Sequence, residues 1–295
     1  AYAPVYRDDQ FDEMARLCSH ITFNSIPQLE HFRGRAAGSS IGLRVNPEYA
    51  PVETDLYNPC AAGSRLGVKA EDLQAGLPPG VAGLHVHNLC ESGAAASAAT
   101  IDSIERLYGH LLDDVQWLNL GGGHLMTRQG YRTDLLIDSL RALRTRHPGL
   151  KVILEPGAAF VWETGVLVAS VLDIVENGGV RTAMLDLSFA CHLPDCLEMP
   201  YTPRITGASI ADRGTGGWRL GGCSCLAGDY VGNYNFDRDP RVGDRLLFED
   251  MMHYTMVKTT TFNGVDLPAI GIVRKNGQFE LLRTFGYDDY ASRLG

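Results

Sequence analysis

Over the first 160 residues, short apolar runs alternate with amphipathic helical patterns, and the later runs close on polar or glycine residues. The runs cover 1–5, 21–24, 41–46, 83–89, 117–121 and 152–155. Asp8 and Asp9 open a helix that runs to about Cys18, and Ser25 with Gln28 has the spacing of a capping box. Residues 91–112 are Ala-rich, with Ile101, Ile104, Leu107, Leu111 and Leu112 at helical spacing. Residues 133–147 repeat Leu136, Leu140 and Leu143 and stop at Pro148-Gly149. Strands separated by helices imply parallel βαβ units, which form either a barrel or a doubly wound sheet. The strand ends favour the barrel. Asn24, Asn46, His87, Gly121-Gly122-Gly123 and Glu155 all fall there, and in a barrel those ends converge on one mouth. Six strands are visible where a closed (β/α)8 barrel has eight. The expectation is therefore a (β/α)8 barrel missing about two N-terminal strands, in a chain that begins at Ala1-Tyr2-Ala3-Pro4-Val5 inside a fold.

Beyond about residue 160 the pattern changes. Short β-type runs at 166–175, 181–187, 204–208, 246–248, 254–262, 269–274 and 279–284 are separated by Gly, Asn, Asp and Pro. Asn263-Gly264 and Asn276-Gly277 read as hairpin turns. The expected division is a partial barrel over 1–160 and a mostly antiparallel β domain over 161–295.

With 45% hydrophobic and 21% charged residues, the chain of 295 has ample material for a core and is not disordered in character. It contains no apolar stretch of the ~18–20 residues that a membrane span needs. The net charge of −9 disfavours nucleic acid and anionic membranes as partners. Seven scattered cysteines are an odd number and do not form a disulfide framework, so a reducing cytoplasm is expected.

Several motifs carry chemistry. The Gly121-Gly122-Gly123 run follows a strand, and its N–H groups can cradle a phosphate; a tight turn without ligand is the other reading. His85 and His87 alternate on a strand and share a face, as metal ligands or as hydrogen-bonded core histidines. Cys90, Glu91 and His124 lie nearby in sequence without a recognised metal spacing. Glu155-Pro156-Gly157 puts a carboxylate at a strand end. There it needs a metal, a protonated ring nitrogen, or an Arg or Lys. Cys223 and Cys225 sit in a Gly-rich loop, where a thiol serves as a proton donor, a redox group or a structural thiol, the last preferred for Cys223. His192, Asp195 and Glu198 crowd the loop 188–201, which either lines a pocket or is solvated.

The joint order of these pieces resembles the fold type III pyridoxal-phosphate decarboxylases, the group of the ornithine and diaminopimelate decarboxylases. Within it, the pattern is most similar to the carboxynorspermidine/carboxyspermidine branch. The pieces are Gly83-Leu84-His85-Val86-His87, Leu89-Cys90-Glu91, Asn119-Leu120-Gly121-Gly122-Gly123-His124 and Leu154-Glu155-Pro156-Gly157. In the second half they are Leu185-Asp186, His192-Leu193-Pro194-Asp195, Leu197-Glu198-Met199-Pro200-Tyr201, Cys225-Leu226-Ala227-Gly228-Asp229, Val242-Gly243-Asp244, Phe248, Tyr254 and Phe262-Asn263-Gly264.

The resemblance implies pyridoxal 5'-phosphate as cofactor, an electron sink for the loss of CO2 from an amino acid. It implies that Glu155 pairs with the pyridine nitrogen, that His87 stacks on the ring, and that Gly121, Gly122, Gly123 and Tyr254 hold the phosphate. Cys225, reaching from the partner subunit of a homodimer, is implied as the acid that returns a proton. Asp186, Glu198 and Asp229 are implied as carboxylates for the ammonium groups of a carboxypolyamine. The implied products are norspermidine or spermidine, whose precursors differ by one methylene and are not separable by sequence.

Three departures stand out. Ala158 occupies the place of an Arg found after Glu-Pro-Gly in many relatives. Leu226 stands where ornithine decarboxylases have Asp, which favours the carboxypolyamine branch. Lys69, Lys151, Lys258 and Lys275 are the only lysines, and none has the context of the family's Schiff-base lysine. The lysine and two strands are expected to belong to an N-terminal part outside this sequence, so the chain alone is expected to be inactive. Two rival readings are a metal-dependent barrel hydrolase using His85 and His87 with an acid such as Asp186, and a non-catalytic decarboxylase-like regulator.

Overall fold

The computed structural model describes residues 1–52, 54–199, 201–212 and 216–294. Pro200, part of the Leu-Glu-Met-Pro-Tyr piece, lies outside them. The chain divides into two compact units, Ala1–Phe160 and Val161–Gly295.

The first unit is built on five strands: β1 (His20–Phe23), β2 (Ser40–Arg44), β3 (Val81–His85), β4 (Trp117–Asn119) and β5 (Lys151–Ile153). They lie side by side in chain order and every pair is parallel. A doubly wound sheet reverses its order at a switch point. An unreversed order is the winding of a β/α barrel. The expected leading strand at 1–5 reduces to one parallel bridge, Tyr2 to Thr22. Pro4 has no N–H to give a ladder there.

Helix α1 (Asp8–Leu17) precedes β1, and α2 (Ile26–Phe32), α3 (Ala94–Tyr108) and α4 (Thr133–Arg146) link β1 to β2, β3 to β4 and β4 to β5; between β2 and β3 the described residues form only the short 3-10 turns Asp55–Tyr57 and Ala70–Leu73. Ser25 caps α2 by accepting from Gln28 N–H at 3.4 Å. Gln28 Oε1 reaches back to Asn24 N–H at 2.7 Å, one residue earlier than a regular capping box.

Register explains the layering of the sheet. Phe23, Leu43, Leu84, Leu118 and Val152 stand opposite one another, and the first four are fully buried in a core that includes Ile101, Ile104, Tyr108 and Leu143 of the helices. One residue earlier, Thr22, Gly42, Gly83 and Trp117 form a row on the other face. The indole covers both glycines. A Cβ would sit 2.3 Å from the Trp117 ring at Gly42 and 2.1 Å from it at Gly83. Two residues further along this face comes the row Arg44, His85 and Asn119. His87, Gly121 and Glu155 follow at the next step of the alternation. Above the indole this face therefore carries Arg44, His85 and Asn119 and then His87 and Glu155.

The second unit holds β6 (Val166–Asn177), β7 (Val180–Leu185), β8 (Ala208–Ile210), β9 (Trp218–Gly221), β10 (Tyr230–Phe236) and β11 (Arg245–Glu249) in one sheet of order β11-β6-β7-β9-β10-β8. Every pair is antiparallel except β7 with β9. Its core gathers Val171, Leu185, Phe189, Trp218, Leu220, Tyr234 and Phe248. Short helices α5 (Phe189–His192) and α6 (Asp195–Glu198) follow β7. A separate hairpin, β12 (Ile270–Val273) with β13 (Phe279–Arg283), turns at Asn276-Gly277, where Gly277 has φ +82°.

Residues 254–262 are not a strand. They form α7 (Tyr254–Val257), closed by Lys258 N–H to the Tyr254 carbonyl, and then a turn at Phe262–Gly264. The β-branched run of Thr259, Thr260 and Thr261 suggested a strand, but Thr260 N–H instead bonds the Cys191 carbonyl at 2.9 Å. Asn263-Gly264 accordingly joins no hairpin. A last helix, α8, spans Tyr287–Ala291.

Candidate active site

The first unit brings His87, the glycine turn and Glu155 together. Glu155 N–H bonds the Gly121 carbonyl at 2.8 Å, continuing the β4–β5 ladder past its named ends. Gly121 and Gly123 have φ of +67° and +82°, which glycine adopts without strain. Gly122 serves close approach instead. A Cβ there would lie 2.3 Å from the Glu155 carbonyl oxygen and 3.6 Å from His87 Cε1.

The Glu155 carboxylate is half exposed and is aimed by Asn119, whose Nδ2 donates to Oε1 at 2.8 Å. His85 Nε2 stands 3.7 Å from the other oxygen. Ligand-type atoms of His85, His87 and Glu155 all lie within 4.8 Å of one another. Beneath them Arg44, which sequence reasoning missed, is 6% exposed. It donates to the Tyr2 hydroxyl at 2.5 Å and to the His87 carbonyl at 2.8 Å. The signal for it was positional: Arg44 and Asn119 are polar residues one pleat below polar strand ends.

Electrostatics bias this cluster toward neutral imidazoles. Burial, then the charge of Arg44, pushes His85 from 6.5 down to about 3. Burial and Arg44 also lower His87, with Glu155 opposing them, and burial lowers His124. Both ring nitrogens of His85 and Nε2 of His124 are buried without a hydrogen-bond partner. A metal ion could draw on the three ligand atoms of the cluster, but Arg44 works against a second cation there.

A flat imidazole, a carboxylate beside it, a glycine turn and orphaned buried nitrogens fit an aromatic, anionic cofactor with a protonatable ring nitrogen. Neither lysine of this unit takes part. Lys69 pairs with Glu48 at 3.7 Å and Glu71 at 4.0 Å, and Lys151 begins β5 at the end opposite Glu155.

The remaining sequence-singled residues lie in the second unit. Cys225 is exposed in the loop between β9 and β10, and its Sγ donates to Asn263 Oδ1 at 3.0 Å. Asp186 and Glu198 are exposed; Asp186 accepts from Ser170 N–H at 2.7 Å. Tyr254 is 55% exposed at the start of α7. Asp195 is paired with Lys258 at 2.5 Å. His192 is buried, and its Nε2 meets the Asp266 carbonyl at 3.1 Å. A cleft of about 1440 Å³ in this unit is lined by Asp186, His192 and Asp266.

Asp229 has a different place from the substrate-facing one that the resemblance implied. It is 4% exposed, and its carboxylate accepts from Ala190 N–H at 3.0 Å, Ser224 N–H at 3.1 Å and Ser224 Oγ–H at 2.6 Å. Those three donors and its burial turn the carboxylate to its own loop.

A parallel β/α unit with polar strand ends, followed by a mostly antiparallel sheet unit, defines the barrel-and-sheet class of decarboxylases. Residues 6–252 match the family model described as pyridoxal-dependent decarboxylase, C-terminal sheet domain. The chain is 55% identical over 296 residues to a carboxyaminopropylagmatine decarboxylase of Synechocystis sp., covering 100% of this chain and 76% of that protein. It is 39% identical over 303 residues to a carboxynorspermidine/carboxyspermidine decarboxylase of Campylobacter jejuni, covering 99% and 79%. The crystal structure of a carboxynorspermidine decarboxylase complexed with norspermidine, also from Campylobacter jejuni, superposes with a TM-score of 0.87 at 37% identity, over 99% of this chain and 79% of that one. The chain belongs to the pyridoxal-dependent decarboxylases with a C-terminal sheet domain, enzymes of the carboxy-lyase class.

Proposed function

We propose that the protein decarboxylates a carboxylated polyamine with pyridoxal 5'-phosphate as cofactor, within polyamine biosynthesis. One observation carries this reading. His87 and Glu155 present their polar atoms within 4.8 Å of each other, directly above the Arg44–His85–Asn119 row. The cofactor, when bound, supplies the electron sink that makes loss of CO2 possible. Everything else falls to the chain. Glu155, aimed by Asn119, would accept from the pyridine nitrogen and favour its protonated form. The His87 ring, its pKa lowered by burial, would cover the heterocycle without adding charge against it. The glycine turn at 121–123 offers backbone N–H groups to the phosphate, and the resemblance adds the Tyr254 hydroxyl.

Cys225 is the thiol that returns a proton to carbon. By the same resemblance it does so from the partner subunit of a homodimer. Asp186 and Glu198, both exposed, receive the ammonium groups of the substrate. Asp229 acts at one remove, holding the loop that carries Cys225. The cysteines, odd in number and scattered along the chain, fit a reducing cytoplasmic setting. Among the described residues no helix is long and apolar enough to cross a membrane.

Carboxynorspermidine and carboxyspermidine are the substrates named for the relatives at 36–39% identity. The relative at 55% identity favours a second reading, carboxyaminopropylagmatine. CO2 release from the three compounds, assayed side by side with the whole natural protein and added cofactor, tests both. Turnover of at least one is expected, abolished or nearly so in Glu155→Gln. Cofactor-dependent turnover of none of them, with ornithine or diaminopimelate accepted instead, refutes the carboxypolyamine reading.

A further inference from the structure

Phe262-Asn263-Gly264 belongs to the sequence pattern, yet no role falls to it in the reaction as described. Asn263 adopts φ +59°, a left-handed conformation that Asn tolerates better than most residues. Its side-chain oxygen accepts two hydrogen bonds from one residue: Cys225 Sγ–H at 3.0 Å and Cys225 N–H at 3.3 Å.

Both partners are fastened from behind. On the Asn263 side, the buried Cys191 Sγ–H donates to the Phe262 carbonyl at 3.4 Å, and Thr260 N–H bonds the Cys191 carbonyl at 2.9 Å. Cys191 itself is set by Ser188, whose Oγ accepts from its N–H at 3.1 Å. On the Cys225 side, Gly222 N–H bonds the Asp229 carbonyl at 2.7 Å, and Cys223 N–H bonds the Leu187 carbonyl at 2.8 Å. Ser224 is held by the Asp229 carboxylate through both N–H and Oγ–H. Two anchored loops therefore meet at a single amide oxygen.

We propose that Asn263 is a positioning residue that fixes the Cys225 sulfur in one place and keeps its proton on it between turnovers. The proposal rests on the reading of Cys225 as proton donor. A carboxamide oxygen can only accept, so it stabilises S–H and faces a thiolate with lone pairs. During turnover the S–H bond breaks and a C–H bond forms at the carbon that lost CO2. The resulting thiolate then takes a proton from water, and Asn263 Oδ1 receives the restored S–H.

The test needs no substrate. Alkylation of the purified protein by iodoacetamide is followed thiol by thiol through peptide mass spectrometry. In Asn263→Ala, Cys225 is expected to react about fivefold faster than in the unaltered protein, the size of one lost hydrogen bond, while Cys223 keeps its rate. In Asn263→Asp the acceptor geometry is kept and a negative charge is added, so Cys225 is expected to react more slowly than in the unaltered protein. A purely structural role for Asn263 moves both variants the same way. In turnover, Asn263→Ala is expected to lower kcat about fivefold and leave KM unchanged. Cys225 alkylation within twofold of the unaltered rate in Asn263→Ala, or acceleration in both variants, overturns the proposal. Cys225→Ala separates the two levels: undiminished turnover there removes the proton-donor reading itself, whatever Asn263 does.

Discussion

Gly122→Ala probes the closest backbone approach in the site. The added methyl would lie 2.3 Å from the Glu155 carbonyl oxygen, where ordinary van der Waals contact begins at 3.4 Å. Backbone must give way by about 1 Å, because both atoms nearer than 3.4 Å, the Glu155 carbonyl oxygen at 2.3 Å and carbon at 3.2 Å, are backbone. Overpacking of this kind costs roughly 1–3 kcal/mol. Loss of glycine freedom in the unfolded chain returns about 0.4–1 kcal/mol, leaving a net destabilisation of about 1–2 kcal/mol. At roughly 2–4 °C per kcal/mol for a unit of this size, Tm should fall by about 2–8 °C.

The larger effect is on the cofactor. The displaced segment carries Glu155, whose N–H is tied to Gly121 and whose carboxylate is tied to Asn119. A misplacement of about 1 Å at a reacting centre is worth about 10²-fold. Titration with pyridoxal phosphate, followed by absorbance, should show affinity reduced by about one to two orders of magnitude. Gly149→Ala is the control, since a Cβ there meets nothing within 4 Å, and it should behave as the unaltered protein. Unchanged Tm and unchanged cofactor affinity in Gly122→Ala would refute the packing argument.

Further perturbations follow from buried polar groups. Asp229→Asn replaces an acceptor that serves three donors with an amide whose NH2 faces some of them; urea denaturation should show a loss of about 1–3 kcal/mol. Tyr108→Phe deletes a buried hydroxyl that donates to the Asn46 carbonyl at 2.7 Å and the Val68 carbonyl at 2.9 Å, and should cost about 1–2 kcal/mol by the same measurement. The His85 imidazole takes a proton near 6.5 when unfolded but only near 3 when folded. Its contribution is therefore complete above pH 6.5 and lost as pH falls from 6.5 toward 3. Between pH 7.5 and pH 5 the unaltered protein should lose roughly 2 kcal/mol more stability than His85→Phe, compared by urea midpoints at each pH.

The first unit was legible because its strands are separated by helices with regular apolar spacing, and because both faces of a parallel sheet are buried. Residues 21–24, 41–46, 83–89, 117–121 and 152–155 each overlap a strand that forms; four of them start one or two residues late, and all of them run past the strand's C-terminal end. Those overruns are the site itself: His87 and Glu155 lie two residues past the ends of β3 and β5. The second unit was harder. β9 is flanked by Gly217 and Gly222 and ends on Gly221, and β10 is interrupted by Gly232, which masks alternation, while residues 254–262 have β-branched composition but form no strand. Composition also cannot tell a carboxylate that faces solvent from one that holds a loop. Asp186 and Asp229 look alike in sequence, and only the donors around Asp229 separate them. Arg44 was missed for the converse reason: a charge within a strand reads as exposed until register places it beneath His87.

The central claim is that Glu155 and His87 hold one heterocycle between them above the Arg44 layer. A crystal structure of the protein with pyridoxal phosphate tests it directly. The account expects the ring nitrogen within hydrogen-bonding distance of the Glu155 carboxylate, the ring face against His87 and the phosphate at the glycine turn. A ring bound elsewhere, or a Glu155 side chain turned away from the ring nitrogen, contradicts it.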